Sequence, residues 1–483
     1  MDAAFLRMES KRTPMHVGAM MTFKLPDDAP PDFCQRLVQE MREKPFMPYP
    51  FACRLARGRL SRMRPAWEET VVDMEYHLRH SALPFPGGER ELGVLVARMH
   101  SHPLDLTRPL WECHIIEGLE GNRFALYFKA HHCAIDGVGA MRMVQNWLSR
   151  DPADRRGMGP WVLAAKPERP PAEPESLGRK LQKPALDAAG QIRGLKELVK
   201  GLAGMLKGND SFARMLLEIP RSLFNVPVSQ QRRLGTQILP VARLKAVAEA
   251  AGGGATLNDV LLAVVGGAVR RYLIQQKALP EKSLLASVPM GLARPDGTPG
   301  NAAVGFLAPL GTDHDDPVAR IRWIRQVTLR GKEELQAMPR EAQMQFALLG
   351  IAPLMLGQMT GVLPKLPPLF NCVVSNVVLS KHSLYLMGAE LEAMYPVSFL
   401  FDGYALNITL VGYKDGVAVG FLGCREAIPS LQRLAVYTTE ALAELEQAVG
   451  IGGTPSPAAQ AAGKASAPAP AKSRTKRRRL PED

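Results

Sequence analysis

The sequence predicts an α/β protein made of two mixed regions joined by a long connection. Short apolar runs bounded by turn residues alternate with helix-spaced apolar residues over 1–150. The same alternation returns over 231–450, and between the two the composition turns abruptly to proline and charge. With 483 residues, 46 % hydrophobic and 22 % charged, the chain can bury more than one core and is not a largely disordered polymer.

In the first region, Met20 to Leu25 and Phe124 to Ala130 read as strands. Pro31 to Glu43 and Val138 to Leu148 read as helices, the latter with Val138, Met141, Val144 and Leu148 on one face. Residues 151–230 form the connection. Asp151 to Pro184 holds seven prolines, and Ile192 to Ile219 reads as a partly basic helix with Leu195, Leu198, Val199, Leu202 and Leu206 at core-type spacing. Such a helix either crosses between the two domains or turns its apolar face to a membrane.

The second region, 231–450, opens its pattern with a long apolar helix from Leu257 to Leu273. Strands follow at Leu285 to Met290, Val304 to Leu310, Asn371 to Leu379, Ala405 to Tyr413 and Val417 to Leu422, and Pro429 to Val449 closes as an amphipathic helix. Residues 451–483 are low in complexity, contain Lys476-Arg477-Arg478-Arg479, and read as a disordered basic tail.

The formal net charge is +13, of which +5 lies in 451–483. The remainder is spread over 450 residues. That bias suits anionic ligands or membrane surfaces as well as nucleic acid, and no nucleic-acid-binding motif accompanies it. The six cysteines show neither CxxC nor metal-type spacing, so reduced thiols in a cytosolic protein are expected, with no metal site. Met1-Asp2-Ala3-Ala4-Phe5 has an acid where a basic leader would stand, and no apolar run follows. Between Glu341 and Lys365 no residue is charged, but Gly350, Pro353, Gly357, Gln358, Thr360 and Gly361 interrupt the run. A buried or lipid-touching helix pair is expected there rather than a span.

The chemistry gathers where the strand Phe124 to Ala130 runs into His131-His132-Cys133-Ala134-Ile135-Asp136-Gly137 and then a helix. A strand end on a rigid scaffold can present a histidine to a cleft. Imidazole, with an unperturbed pKa of about 6.5, can take a proton from a hydroxyl that attacks a carbonyl carbon. No GxSxG elbow occurs and serine is scarce nearby, which favours direct attack by the acceptor over a serine acyl-enzyme. Residue types alone leave three readings open: a catalytic base, a metal site, or half-buried structural histidines. Adjacent residues on a strand point to opposite faces, which weakens the second.

Several elements together resemble one family. His131 to Gly137 resembles the HHxxxDG signature of the bacterial wax ester synthase/acyl-CoA:diacylglycerol acyltransferases, which share the shorter HxxxD with the coenzyme-A-dependent acyltransferase superfamily. Asp2 to Leu6 with Thr13 to Gly18 is similar to the family's amino terminus, and Pro109-Leu110-Trp111 to its PLW element. Asn258-Asp259-Val260 resembles its ND motif. Val288-Pro289 with Gly300-Asn301, Ser375-Asn376, Leu384 to Ala389 and Leu406 to Thr409 follow in the family's order. Two departures stand out: Val378-Leu379-Ser380 where the family has Pro-Gly-Pro, and Met290 to Arg294 where it favours a serine and a nearby arginine.

The resemblance implies two chloramphenicol-acetyltransferase-like domains with the active site in a tunnel between them. It implies an acyl-CoA-dependent O-acyltransferase that esterifies diacylglycerol, a long-chain alcohol, or both. Acyl-CoA is then a co-substrate and no cofactor is needed. His132 is implied as general base and His131 as its positioning partner. Asp136 is implied as structural, paired with Arg294. Gly137, expected to relieve the turn, joins Asn258, Ser375 and Asn376 as substrate-side positions, while Pro109, Leu110, Trp111 and Asp259 are structural. Asn258 is also open to an ordinary reading as a helix N-cap. The protein is expected to attach peripherally to an inner membrane or lipid droplet. A carrier-protein-dependent condensation enzyme and a non-catalytic lipid-surface protein are the competing readings.

Overall fold

The computed structural model describes residues 2–44, 47, 49–56, 65–162, 219–293, 299–337 and 352–451. The connection from 163 to 218, with all but the last residue of the helix expected at Ile192 to Ile219, Arg294 and the tail from 452 lie outside the described residues.

In chain order the first half holds α1 (Asp2–Met8), β1 (His16–Lys24), α2 (Phe33–Glu43), β2 (Cys53–Leu55), β3 (Trp67–Glu69), α3 (Met74–His77) and β4 (Leu78–Ala82). It continues with α4 (Glu89–Ser101), β5 (Trp111–Leu119), β6 (Arg123–His131) and α5 (Gly137–Trp147). The second half holds β7 (Arg232–Pro240), α6 (Val241–Ala251), α7 (Leu257–Gln275), β8 (Leu285–Ala293), β9 (Pro299–Pro309) and α8 (Pro317–Ala337). After a helical stretch at 352–360 come β10 (Cys372–Ser380), β11 (Tyr385–Leu386), β12 (Ala389–Val397), β13 (Leu406–Tyr413), β14 (Gly416–Cys424) and α9 (Gln432–Ala448).

Two six-stranded mixed sheets organise these elements. The first runs β11-β12-β1-β6-β5-β4 and the second β7-β14-β13-β10-β8-β9. Sheet membership crosses the midpoint of the chain: β12 lies antiparallel to β1, Gly18 opposite Val397 and Met20 opposite Tyr395, so late residues complete the first sheet. The sheets approach closely where a Cβ on Gly420 of β14 would stand 2.1 Å from the Pro396 carbonyl oxygen of β12. Only glycine admits that approach.

Packing follows burial of the apolar positions. β6 is buried along almost its whole length, and the hydrophobic core of its sheet includes Phe23, Trp111, Phe124, Leu126 and Trp147. α7 is apolar nearly all round, as a helix enclosed on several sides should be, and it packs against α8, α9 and α6. Its Gly266 would place a Cβ 1.9 Å from the Leu310 carbonyl oxygen, so a side chain there would force the helix off the sheet end.

The helix expected at Val138 to Leu148 is α5, with Met141, Val144 and Leu148 buried. Val138, expected on that buried face, is instead 41 % exposed in the first turn, and burial begins at Met141. α5 packs on β10 of the other sheet, and the Gln145 side-chain amide donates to the Leu379 carbonyl. The helix that follows the paired histidines therefore bridges the two sheets. All six cysteines are buried free thiols.

Candidate active site

Three of the elements singled out by sequence meet at the end of β6. His131 stands opposite His16 of β1, and Ala130 opposite Trp111 of β5. The His131 N–H donates to the Leu110 carbonyl and the His132 N–H to the Met15 carbonyl, both at 2.9 Å. The PLW element and the Met15-His16-Val17 stretch thus hold the backbone of the histidine pair from either side. Trp111 is core: its Nε1–H donates to the Phe51 carbonyl at 2.9 Å, and its ring packs between His77 and Trp161.

The two histidines part company. His131 is fully buried. The Cys133 N–H donates to its Nδ1 at 3.1 Å, so the ring proton sits on Nε2 and donates to Glu9 Oε2 at 2.6 Å. A charge-assisted bond of this kind fixes both tautomer and orientation. His132 is half-buried. Phe5 stacks on its ring with centroids 4.1 Å apart and planes 24° apart, and Phe399 meets it edge-on at 5.4 Å. His132 is the one presented to an apolar, aromatic surrounding, and His131 is the one tied into the scaffold.

Asp136 is the N-cap of α5. Its Oδ1 accepts from the Gly139 N–H at 2.5 Å, satisfying a donor the helix leaves over. Its expected partner Arg294 lies outside the described residues. Gly137 was expected to relieve the turn, and the structure corrects this. It is the first residue of α5, lies outside the left-handed region, and would meet nothing within 4 Å if it carried a Cβ. Its lack of a side chain leaves open space beside the histidine loop.

The ND element does a different job from the one its asparagine suggests. Thr256, not Asn258, is the N-cap of α7, and Asn258 is a half-buried residue of the first turn. Asp259 is buried. Its Oδ2 accepts from the Thr256 N–H at 2.9 Å and hydroxyl at 2.7 Å, its Oδ1 accepts from the Thr328 hydroxyl at 2.9 Å, and Arg325 approaches at 3.7 Å. These partners all belong to α7, its cap and α8, so Asp259 locks one helix start onto its neighbour.

Ser375 and Asn376 lie on β10, half-buried and exposed respectively. β10 pairs with β8 only at Cys372 and Val373, whereas its pairing with β13 runs on to Ser380. Both residues therefore sit where β10 has parted from β8, on the strand that α5 packs against.

Sequence reading missed Glu9 and Phe399. Glu9 lies between two elements recognised for other reasons, but nothing in the sequence says that it meets a histidine 122 positions on. Phe399 is positioned from below. His100 donates from Nε2 to the Ser398 carbonyl at 2.6 Å and accepts the Tyr127 hydroxyl on Nδ1 at 2.7 Å. His16 donates to the His100 carbonyl at 2.9 Å. Burial and the neighbouring Lys129 ammonium push His100 down to about 3, and burial drives His16 well below the ordinary histidine value, so both rings are neutral struts. Lys129 is itself buried, ion-paired with Glu112 at 3.1 Å and bonded to the His102 carbonyl at 3.0 Å.

The segment after α1 is clamped from the other half of the chain. Gln358 donates to the Met8 carbonyl at 3.2 Å and the Thr13 hydroxyl at 2.8 Å, and accepts the Asp402 N–H at 2.9 Å. Arg12 pairs with Asp402 at 3.0 Å, and the Arg232 guanidinium donates to the Arg12 carbonyl at 2.6 Å. The residues that carry Phe5 and Glu9 to the histidines are thus held by both halves.

Known proteins resemble the chain over nearly its whole length. The family model described as wax ester synthase/diacylglycerol acyltransferase catalytic domain matches residues 1–261, and the WS/DGAT C-terminal domain matches 299–446. A Mycobacterium tuberculosis (H37Rv) protein provisionally named diacylglycerol O-acyltransferase is 49 % identical over 449 residues, 93 % of this chain and 98 % of that one. The O-acyltransferase WSD of Acinetobacter baylyi is 35 % identical, covering 93 % and 96 %. The solved wax ester synthase/diacylglycerol acyltransferase of Marinobacter aquaeolei VT8 superposes with a TM-score of 0.74 at 36 % identity, covering 93 % and 98 %. The first condensation domain of the calcium-dependent antibiotic synthetase shares the fold, with a TM-score of 0.56 at 18 % identity over 94 % of this chain.

Proposed function

The chain belongs to the wax ester synthase/diacylglycerol acyltransferase family, and on that footing we propose that His132 is the base of an acyl transfer from acyl-CoA to a lipid alcohol. The activity is that of an acyl-CoA-dependent O-acyltransferase making triacylglycerol or wax ester. The acceptor oxygen forms a bond to the thioester carbonyl carbon while the His132 ring takes its proton. Collapse of the tetrahedral species breaks the C–S bond, and the departing coenzyme A sulfur receives that proton. Acyl-CoA enters as co-substrate, and the reaction as written draws on no further cofactor.

The observation that carries this reading is the divergence of the two histidines, one bonded to Glu9 and buried, the other faced by Phe5 and Phe399. An aromatic, water-poor surrounding suits a fatty acyl chain and keeps water from competing with the alcohol. Asp136 supports the loop as a cap, and His131 orients it. Ser375 and Asn376, at the splayed part of β10, are our candidates for the tunnel wall or for the donor to the developing oxyanion, which would contribute about 2.7–4 kcal/mol. Gly137 and Asn258 are candidates for contact with substrate. We read 1–150 and 231–450 as the two domains, with β11 and β12 lent to the first sheet.

Among the described residues no helix is long and apolar enough to cross a membrane. The acceptors are insoluble in water, so we place the protein peripherally on the inner membrane or a lipid droplet, helped by the basic tail. The experiment that tests the activity is direct. Purified full-length protein is given palmitoyl-CoA with diacylglycerol and, in parallel, hexadecanol, and products are separated by thin-layer chromatography. Ester in either lane, with release of coenzyme A, is expected. No ester in either lane would overturn the reading.

A further inference from the structure

The stretch 352–366 contains no acid and one base, Lys365. Its inner side is fixed. Leu354 and Leu363 are buried with Phe370 and Tyr404, and Gly357 lies so near Leu363 that a Cβ would stand 2.9 Å from the leucine Cδ1. Gln358, also buried, grips the segment after α1 as described above. The outer side is apolar. Leu356, Met359, Val362 and Leu366 are exposed to 60, 46, 41 and 43 %. Leu356 and Met359 share a helix face at i, i+3, and Val362 and Leu366 are exposed just beyond the turn at Gly361. No other eleven-residue stretch among the described residues exposes more than two large hydrophobic side chains. Scattered exposed leucines are ordinary, but a cluster of this kind marks a surface that something covers.

Charge identifies what covers it. The segment that Gln358 grips exposes Arg7, Lys11 and Arg12. The exposed Arg221 donates to the Lys365 and Leu366 carbonyls at 3.4 and 2.8 Å, which sets its cation beside the apolar face. Lys365 adds a fifth base. Of these bases Arg12 is paired with Asp402, and the acid Glu9 is bonded to His131. An apolar ridge with cations beside it is complementary to an anionic phospholipid surface, whose acyl boundary takes the leucines and whose headgroups take the bases.

We propose that Leu356, Met359, Val362 and Leu366, with Arg221 and Lys365 beside them and the basic segment 7–12 next to the same helix, form the face by which the enzyme docks on anionic phospholipid. The inference deepens the peripheral attachment proposed above and rests on it. It also gives that attachment a geometry. The docked stretch grips the segment that carries Glu9 and follows Phe5, so docking sets the lipid surface against the wall of the His132 site.

The test uses the full chain carrying Leu356→Asp, Met359→Asp and Leu366→Asp together. Flotation with phosphatidylcholine vesicles containing a minority of phosphatidylglycerol, at low salt, should show binding reduced at least about tenfold, because the apolar term is lost and charge repulsion replaces it. Turnover of palmitoyl-CoA with the dispersed short alcohol hexan-1-ol should stay within about twofold of wild type, since no catalytic contact is touched. A single Met359→Trp variant supplies a second readout, a blue shift of tryptophan emission on adding the same vesicles. Undiminished vesicle binding by the triple variant, or no shift from Trp at 359, overturns the proposal. So does light scattering that shows a wild-type dimer broken by the triple substitution with vesicle binding intact, which would make the face a self-interface. Wild-type protein that binds vesicles through this face yet turns over no alcohol would leave the docking intact and overturn the enzymatic reading instead.

Discussion

Phe5 stacks on His132 with ring centroids 4.1 Å apart, so the first helix of the chain forms one wall around that imidazole. Such a pair contributes about 0.5–1.5 kcal/mol beyond the area it buries. Phe5→Ala should therefore lower kcat/KM by up to about tenfold with palmitoyl-CoA and hexadecanol, while Phe5→Leu keeps the apolar wall and loses less. Equal rates for wild type and Phe5→Ala would show that the stacking does not position the ring.

His132→Ala should abolish ester formation in a folded protein. General-base catalysis contributes about a hundredfold to ten-thousandfold, so the loss in kcat should be at least about a hundredfold with an unchanged melting temperature. A variant within a few-fold of wild type would move the base elsewhere.

Asp136 caps α5, and an alanine there removes the acceptor for the Gly139 N–H. Asp136→Ala should cost about 1 kcal/mol of stability, read as a lower urea midpoint, with a loss of rate beside it. Asp136→Asn can still cap and should recover most of both. If stability holds in both variants while the pH–rate profile moves, the carboxylate acts through its charge and the capping role fails.

Acid should weaken the fold through the buried histidines. His100, held down at about 3 by burial and Lys129, and His16, also lowered by burial, are neutral in the native state. Unfolding returns them to about 6.5. Between those values the unfolded chain binds more protons than the native one, so stability falls as pH drops below about 6.5. The urea midpoint should be level above pH 7 and decline below it, with a shallower slope for His100→Asn. An identical slope in that variant would remove His100 as a source of the acid sensitivity.

The basic tail should act on attachment and not on chemistry. Removing 452–483 takes away seven basic residues, each worth about 1 kcal/mol near an anionic surface. Flotation on anionic vesicles at low salt should weaken, while turnover of dispersed substrate stays nearly intact. Extraction by detergent alone, with no response to salt or carbonate, would reveal integral insertion.

Much of this was legible from residues near one another in the chain. The strand into His131, the helix after Gly137, the apolar helix from Leu257 and the late strands follow from local periodicity, which needs no knowledge of partners. What local pattern cannot supply is who meets whom. Glu9 meets His131 from a segment that lies outside both strands, and β12 enters the first sheet from the far end of the chain. Asn258 invited a functional reading because its type suits both a cap and a site. The backbone decides the matter at Thr256, two residues earlier. α4, β5 and α8 escaped notice because charged residues, as in Glu89-Arg90-Glu91, dilute their apolar period.

The pairing of β1 with β12 constrains when the protein can fold. During synthesis β1 emerges long before β12, which leaves the ribosome only after residue 397 has been added. Until then one flank of β1 is an open edge of backbone donors and acceptors, with Met20, Met21 and Phe23 beside it. Such an edge recruits other chains, and pairings this distant in sequence form slowly. A nascent or truncated chain ending before residue 389 would carry both histidines and still expose that edge, so premature termination should yield aggregates and chaperone clients rather than a smaller working enzyme.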